Sequence, residues 1–290
     1  MSTPQHPSIV CGLIGLGIQG SLTPAMHEQE GEAQGLRYVY KKIDLDPLGL
    51  GVEDLADLLT AAKRMGYSGL NITYPCKQAI IPLLDELSDE AAALNAVNTV
   101  VIRDGRLIGH NTDCSGFAEG FRRGLPGVKM DKAVQLGAGG AGAAVAHSLL
   151  TLGVQQLTVF DIDPARAAEV AASLSARFGA GRCVAGTDLP QAMAETDGLI
   201  NCTPTGMAKL PGLPLPAELI DGRIWVAEIV YFPLETELLR VARAKGCATL
   251  DGGGMAVFQA VGAFRHFTGL EPDAGRMRAH FLSMVNPAKA

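Results

Sequence analysis

The chain has 290 residues, 48% of them hydrophobic, enough to bury one or two full cores, so two domains are expected. Its net charge of −6, with no long run of either sign, gives no sign of nucleic acid or an anionic membrane as a partner. The segment Met1–Ser8 has no basic region, and the apolar stretch after it is broken by Gly12, Gly15 and Gly17, so neither signal peptide nor membrane span is expected.

From residue 9 the apolar pattern alternates between short strand-like and longer helix-like stretches, which predicts an α/β fold. Strands are expected at Ile9–Ile14, Arg37–Ile43 and Ser68–Thr73, and a helix at Glu53–Met65 with Leu55, Leu58, Leu59 and Ala62 on one face. Two helical segments follow, interrupted near Ser88, which has the character of an N-cap. Val97–Ile102 and Arg106–His110 flank Asp104-Gly105, a hairpin pair, and Ser115–Arg123 reads as a connecting helix.

Residues 132–161 then read as strand, glycine turn, helix and second strand. The turn Gly137-Ala138-Gly139-Gly140-Ala141-Gly142 fits G-x-G-x-x-G, with Asp161 standing 19 positions after the last glycine. In this pattern the first glycine permits a tight turn, the second lets a pyrophosphate approach the backbone, and the third lets helix pack on strand. The phosphates meet the free N–H groups and positive end of the helix. Beyond it, Pro164–Phe178 and Glu235–Lys245 read as helices, and Arg182–Ala185, Gly198–Asn201, Trp225–Ile229 and Ala248–Leu250 as strands. Pro211–Pro216 reads as a loop, and helices Met255–Phe267 and Asp273–Met284 close the chain.

Six scattered cysteines without a C-x-x-C pair point to reduced thiols in a cytoplasmic protein, mostly small core residues. Six histidines without metal-binding spacing predict no metal, and His27 reads as a helix residue rather than a ligand. A dinucleotide fold points to hydride transfer, and oxidising an alcohol needs a group that accepts the hydroxyl proton. Two polar constellations lie at predicted strand ends: Asn71-Ile-Thr73-Tyr-Pro75-Cys-Lys77, and Asn95-Ala-Val-Asn98-Thr99 with Asn111-Thr112-Asp113. Each alone is also compatible with turns satisfied by Asn and Thr, and with Lys77 as a solvated helix residue. A third cluster, Ser21-Leu-Thr23-Pro24, fits a helix N-cap with Pro just inside and is equally compatible with ligand binding.

Taken together and in order, Ser21-x-Thr23-Pro24-x-x-His27, Asn71-x-Thr73-x-Pro75-x-Lys77, Asn98-Thr99, Asn111-Thr-Asp113-x-x-Gly116-Phe117, the glycine turn and Gly252-x-Gly254-Met255-x-x-x-Gln259-Ala260 resemble the shikimate/quinate dehydrogenase family. The resemblance runs from about residue 10 to about residue 285. It implies an N-terminal α/β substrate domain over residues 1–115, completed by helices within 255–290, and a Rossmann-type doubly wound dinucleotide-binding domain over 116–254.

By the same resemblance, Lys77 and Asp113 match the family's catalytic Lys–Asp pair at the hydroxyl that is oxidised. A lysine must give up its proton to act as a base, and an ionised Asp113 opposes that, so the two read as a coupled unit. Ser21 and Thr23 match donors to the substrate carboxylate. Thr73, Asn98 and Gln259 match ligands of the ring hydroxyls, and Tyr231 falls at a substrate-side Tyr. The cofactor side covers Gly137, Ala138, Gly139, Gly140, Ala141, Gly142, Thr203, Pro204, Thr205, Gly206, Met207, Ile229 and Gly252. For Tyr231, Ile229 and Gly252 the residues alone read as a core aromatic, a strand aliphatic and a turn glycine.

Two departures single out a branch. Thr23 stands where many members have Ser, and the loop Asp161-Ile-Asp163-Pro164-Ala-Arg166 carries acid where NADP-using members carry basic residues. Asp161 is placed to accept from the adenosine ribose hydroxyls and to repel a 2′-phosphate, while Arg166 could reach either a phosphate or the adenosine. The chain is similar to the NAD-dependent quinate/shikimate branch, as monomer or homodimer. The alternatives are a biosynthetic shikimate or amino-analogue dehydrogenase using NADP or NAD, and a non-catalytic ligand sensor. The intact Lys77, Asp113 and glycine turn argue against the sensor. Glu228 stands where Asp is usual, with no consequence readable from the sequence.

Overall fold

Short strands with near-continuous apolar runs need cover on both faces, which a parallel sheet flanked by helices supplies. The computed structural model describes residues 8–285. The chain divides into two compact units, one of residues up to Thr112 together with those from Gln259 onward, the other Asp113–Phe258.

The first unit runs β1 (Ser8–Gly15), α1 (Thr23–Ala33), β2 (Arg37–Asp44), α2 (Leu45–Leu48), α3 (Leu55–Arg64), β3 (Gly69–Ile72), α4 (Cys76–Ala79), β4 (Glu86–Leu87), α5 (Asp89–Leu94), β5 (Thr99–Arg103) and β6 (Arg106–His110). Its sheet has the order β2-β1-β3-β5-β6-β4. Ser88 caps α5 by accepting from the Ala91 N–H. Asp104 and Gly105, both at positive φ (51° and 74°), turn the β5–β6 hairpin as a primed turn requires. The segment between residues 74 and 94 differs from the expected two helices. It breaks into α4, a single 3-10 turn, the two-residue β4 and α5, and Pro82, which has no N–H to continue the hydrogen bonds of α4, stands at the first break.

Helix α6 (Thr112–Gly124) leads into the second unit: β7 (Lys132–Leu136), α7 (Gly140–Leu152), β8 (Gln156–Phe160), α8 (Pro164–Phe178), β9 (Cys183–Ala185), α9 (Leu189–Glu195), β10 (Gly198–Asn201), β11 (Trp225–Glu228), α10 (Glu237–Ala244) and β12 (Ala248–Leu250). All neighbours in this sheet pair in parallel, in the order β12-β11-β10-β7-β8-β9, the doubly wound Rossmann order. Helix α9 lies in a stretch with no sequence expectation, where Asp188 caps the helix at the Gln191 N–H and Pro190 sits in its first turn. Helices α11 (Gly253–Thr268) and α12 (Ala274–Val285) end the described chain.

Helix α12 joins the first unit through a buried carboxylate. Glu30 of α1 accepts two charge-assisted bonds of 2.7 Å from Arg276, and the Asp273 N–H at 2.9 Å. The aromatic face of α11 closes the same side, with Phe264 stacked on Tyr38 at 5.4 Å. His27 lies in that cluster with its Nδ1 2.9 Å from the Tyr38 hydroxyl, and burial pushes its pKa down to about 3, so it is a neutral core residue. All six cysteines are free thiols, five buried and Cys202 half-buried. Among the described residues no helix is long and apolar enough to cross a membrane, and no three His, Cys, Asp or Glu side chains gather as a metal site.

Candidate active site

Ligand sites of open α/β sheets lie at the carboxyl ends of the parallel strands. In the first unit β1 and β3 are parallel, with Ile14 opposite Ile72, so the loops bearing Ser21–Thr23 and Thr73–Lys77 leave the same edge. Strand β5 runs antiparallel to β3, so Asn98, just ahead of it, stands at that edge, and β6 returns there at His110. Backbone bonds join these segments: Ile72 N–H to the Asn98 carbonyl at 2.7 Å, Val97 N–H to the Lys77 carbonyl at 2.9 Å, and Leu16 N–H to the Tyr74 carbonyl at 2.9 Å. The Tyr74–Pro75 peptide between them is cis. Gly262 of α11 lies against the Thr112 side chain, with Gln259 one helical turn earlier. Ser21, Thr23, Thr73, Lys77 and Gln259 are half-buried, and Asn98 is buried.

Two of the polar residues turn out to orient others. Asn71 accepts from the Tyr40 hydroxyl at 2.7 Å and donates to Thr99 Oγ1 at 3.0 Å, so its amide is spent inside the core. Asn98 Oδ1 accepts from the Thr112 N–H at 2.7 Å and the Thr99 hydroxyl at 2.9 Å, while its Nδ2 donates to Thr112 Oγ1. That fixes the Asn98 rotamer and leaves one amide hydrogen to offer a ligand. Helix α1 has Pro24 in its first turn, but its N-cap is Leu22, not Ser21. The Ser21 hydroxyl accepts from the Thr23 N–H at 3.3 Å and makes no cap bond.

Asp44, which the sequence reading did not single out, holds the loop ahead of Ser21. Its buried carboxylate accepts from the N–H groups of Gly17 (2.8 Å) and Ile18 (3.1 Å) and from the Gln19 amide (2.8 Å). Burial opposes its ionisation, yet the Gln19, Gly17, Asp46 and Ile18 donors outweigh it and hold its pKa below the ordinary carboxylate range. An Asp closing a strand carries no motif of its own, so only the fold reveals the role.

In the second unit the glycine turn follows β7, Asp161 follows β8, Thr203–Met207 follow β10, Ile229–Tyr231 follow β11 and Gly252 follows β12, all at the carboxyl edge. Gly137, at φ +97°, lies so close to the backbone that follows β10 that a Cβ would sit 2.7 Å from the Cys202 carbonyl. A Cβ on Gly252 would likewise meet the Val230 carbonyl at 2.4 Å. Gly139 and Gly140 instead face open space, and no side chain caps the helix that starts there. Asp161 Oδ2 accepts from the Ala138 N–H at 2.7 Å, and its Oδ1 from the Asp163 N–H at 2.9 Å. Open glycines, an uncapped helix start and a fixed carboxylate fit a pyridine dinucleotide, whose pyrophosphate and ribose need these groups. Asp163 caps α8 through the Ala165 N–H and pairs with exposed Arg166 at 3.4 Å. Asp113 is buried in the first turn of α6, and the next residue is anchored to α7, where the Ser148 hydroxyl donates to the Cys114 carbonyl at 2.9 Å. Tyr231 is exposed in the loop after β11.

Glu228 is the hub of the nucleotide-side loops. Its buried carboxylate accepts from Asn201 Nδ2 (3.0 Å), the Val230 N–H (3.0 Å) and the Thr236 hydroxyl (3.2 Å). Asn201 in turn accepts from the N–H and hydroxyl of Thr203 and donates to the Thr205 carbonyl, so one contact set fixes both Thr203–Met207 and the loop bearing Tyr231. Burial outweighs these donors and pushes the Glu228 pKa up to about 7 from 4.5. A carboxyl raised in this way keeps its proton longer folded than unfolded. Its contribution to stability is therefore full below about pH 4.5 and is lost as pH rises toward about 7, by roughly 3 kcal/mol. The expected result is that Glu228→Gln, which keeps the shape, gains on the wild type between about pH 5 and about pH 8 in denaturant unfolding. A constant difference across that range would show that Glu228 does not titrate there.

This strand order, glycine turn and fixed acidic strand end define a dinucleotide-binding protein of the doubly wound α/β class. Residues 13–100 match the family model described as shikimate dehydrogenase substrate binding domain. A shikimate dehydrogenase (NADP(+)) of Streptomyces avermitilis is 59% identical over 283 residues, covering 97% of each chain. A quinate/shikimate dehydrogenase (NAD(+)) of Corynebacterium efficiens is 53% identical, covering 96% of this chain and 99% of that protein. The solved quinate dehydrogenase of Corynebacterium glutamicum in complex with NAD superposes with a TM-score of 0.92 at 50% identity, over 96% of this chain and all of that one. The chain belongs to the shikimate/quinate dehydrogenase family.

Proposed function

We propose that this protein is an NAD-dependent dehydrogenase that oxidises quinate, shikimate or both to the 3-dehydro acid, reversibly, with the first unit binding the acid and the second the nucleotide. The observation that carries the reading is Asp161, a carboxylate fixed by two backbone N–H groups beside the glycine turn of a family member. Ser21 and Thr23 offer hydroxyls to the substrate carboxylate, while Thr73, Asn98, Gln259 and Tyr231 hold the ring. Lys77 takes the proton of the hydroxyl being oxidised, and Asp113 shares in holding that proton. Bound pyridine nucleotide supplies the hydride acceptor, and the donor in reverse. Gly137–Gly142, Thr203–Met207, Ile229 and Gly252 seat it. The names of the NADP-dependent relatives, together with Arg166, favour a second reading, an NADP-dependent shikimate dehydrogenase. Initial rates with each acid and each nucleotide separate the two.

Quinate and shikimate share the carboxylate and ring triol and differ at the carboxylate-bearing carbon, which in quinate is tetrahedral with an extra hydroxyl. Burying that hydroxyl without a partner costs roughly 1–3 kcal/mol. Thr23 keeps a hydroxyl able to meet either acid, and its methyl restricts the rotamer. The expected outcome is that Thr23→Ser shifts the quinate-to-shikimate ratio of kcat/KM, whereas Lys77→Ala lowers both together. Turnover of shikimate alone, with no quinate oxidation at about millimolar concentration, would overturn the substrate assignment.

A further inference from the structure

Strand β7 is interior to its sheet, between β10 and β8, yet carries a glutamine among aliphatic residues. Gln135 is fully buried, and its register partners are Ile200 and Val159. Among the described residues its Oε1 has no hydrogen-bond partner, so the oxygen does not explain the amide. Methionine would fill the same length without burying an unpaired acceptor. What methionine lacks is the pair of N–H donors. Gln135 Nε2 donates to the Gly137 carbonyl and to the Gly142 carbonyl, each at 2.8 Å. These carbonyls belong to the first and last glycines of the turn, so one amide bridges its two ends from beneath. The opposite assignment of the amide would set an oxygen against two carbonyl oxygens, so the donor orientation is fixed by its surroundings. Gly142 completes the fit: a Cβ there would lie 2.3 Å from the Gly137 carbonyl oxygen and 3.2 Å from Nε2.

We propose that Gln135 is a positioning residue for nucleotide binding, a clip that holds the turn so that its N–H groups converge on the pyrophosphate. The inference rests on the turn as the dinucleotide site and not on which nucleotide is preferred, because both carry the pyrophosphate. Asp161 grips the same turn at the Ala138 N–H. The two contacts leave Gly139 and Gly140 open toward the ligand.

The test is Gln135→Met, with NAD and NADP affinities measured by calorimetry on the full chain, alongside steady-state kinetics and thermal unfolding. Affinity for both nucleotides should fall by the same factor, roughly tenfold to a hundredfold for two lost donors. kcat at saturating nucleotide and KM for the acid should change by no more than about threefold. Nucleotide affinity within about twofold of wild type, or an equal rise in the acid's KM, would overturn the proposal. Should the methionine variant not fold, Gln135→Glu decides. Its carboxylate faces two carbonyls, and only its protonated form regains one donor. Its NAD affinity relative to wild type should therefore recover as pH falls from about 8 to about 6. A deficit independent of pH would count against the clip.

Discussion

Lys77→Ala is expected to lower turnover by about 10²–10⁴-fold while nucleotide affinity stays close to that of the wild type. Lys77 lies on α4 in the first unit, whereas the glycine turn, Asp161 and the Glu228 hub are all built from the second. Removing the lysine would therefore take away the proposed proton acceptor without touching the residues proposed to seat the nucleotide. Its backbone is also well held, since the Lys77 carbonyl accepts from the Val97 N–H, so truncating the side chain leaves the local fold in place. Single-turnover rates with quinate, alongside calorimetric NAD affinity, measure the two quantities separately. Asp113→Asn should be severely impaired as well. The double variant should be little worse than either single one, because residues that act on one proton are non-additive. Turnover within about threefold of wild type in Lys77→Ala would remove the lysine from the chemistry.

What the sequence carried best were features with local causes. The Asp104-Gly105 turn, the Ser88 cap, and the strand and helix of β10 and α8 follow from dihedral preference, capping and period alone, and they stand within a residue or two of expectation. The glycine turn was legible because its spacing is itself the physical requirement. What stayed hidden depends on long-range burial. Asp44 is an ordinary strand end until 26 or 27 residues of separation bring the N–H groups of Gly17 and Ile18 onto it. Glu228 and Asn201 meet across neighbouring strands, and nothing in either segment signals the other. Gln135 is the same case at short range, since its meaning lies in the two carbonyls above it rather than in its place in a motif. Asn71 is a converse case. Its place in a polar constellation at a strand end fitted either chemistry or a satisfied turn, and the Tyr40 and Thr99 contacts turn it inward.

The nucleotide preference should be the other large effect, with kcat/KM for NAD exceeding that for NADP by about a hundredfold or more, or roughly 3 kcal/mol. An Asp beside the adenosine ribose accepts from its hydroxyls, and a 2′-phosphate turns that bond into like-charge repulsion. The Asp161 carboxylate cannot easily swing aside, because Ala138 and Asp163 N–H groups hold one oxygen each. Each oxygen still has a lone pair to give the ribose. Arg166 works against the preference, but its ion pair with Asp163 at 3.4 Å competes with any phosphate. That pair is exposed and weak on its own, so it delays rather than forbids NADP. Asp161→Ala should then lower efficiency with NAD and raise the NADP-to-NAD ratio at least tenfold, or about 1.4 kcal/mol. Adding Asp163→Ala, which frees Arg166, should push the ratio further toward NADP. The readout is the ratio of efficiencies with the two nucleotides in the same preparation, which cancels any general loss from loosening the Ala138 turn. Equal efficiency in the wild type would mean that Arg166 reaches the 2′-phosphate despite both aspartates. The protein would then work as its NADP-dependent relatives are named to do.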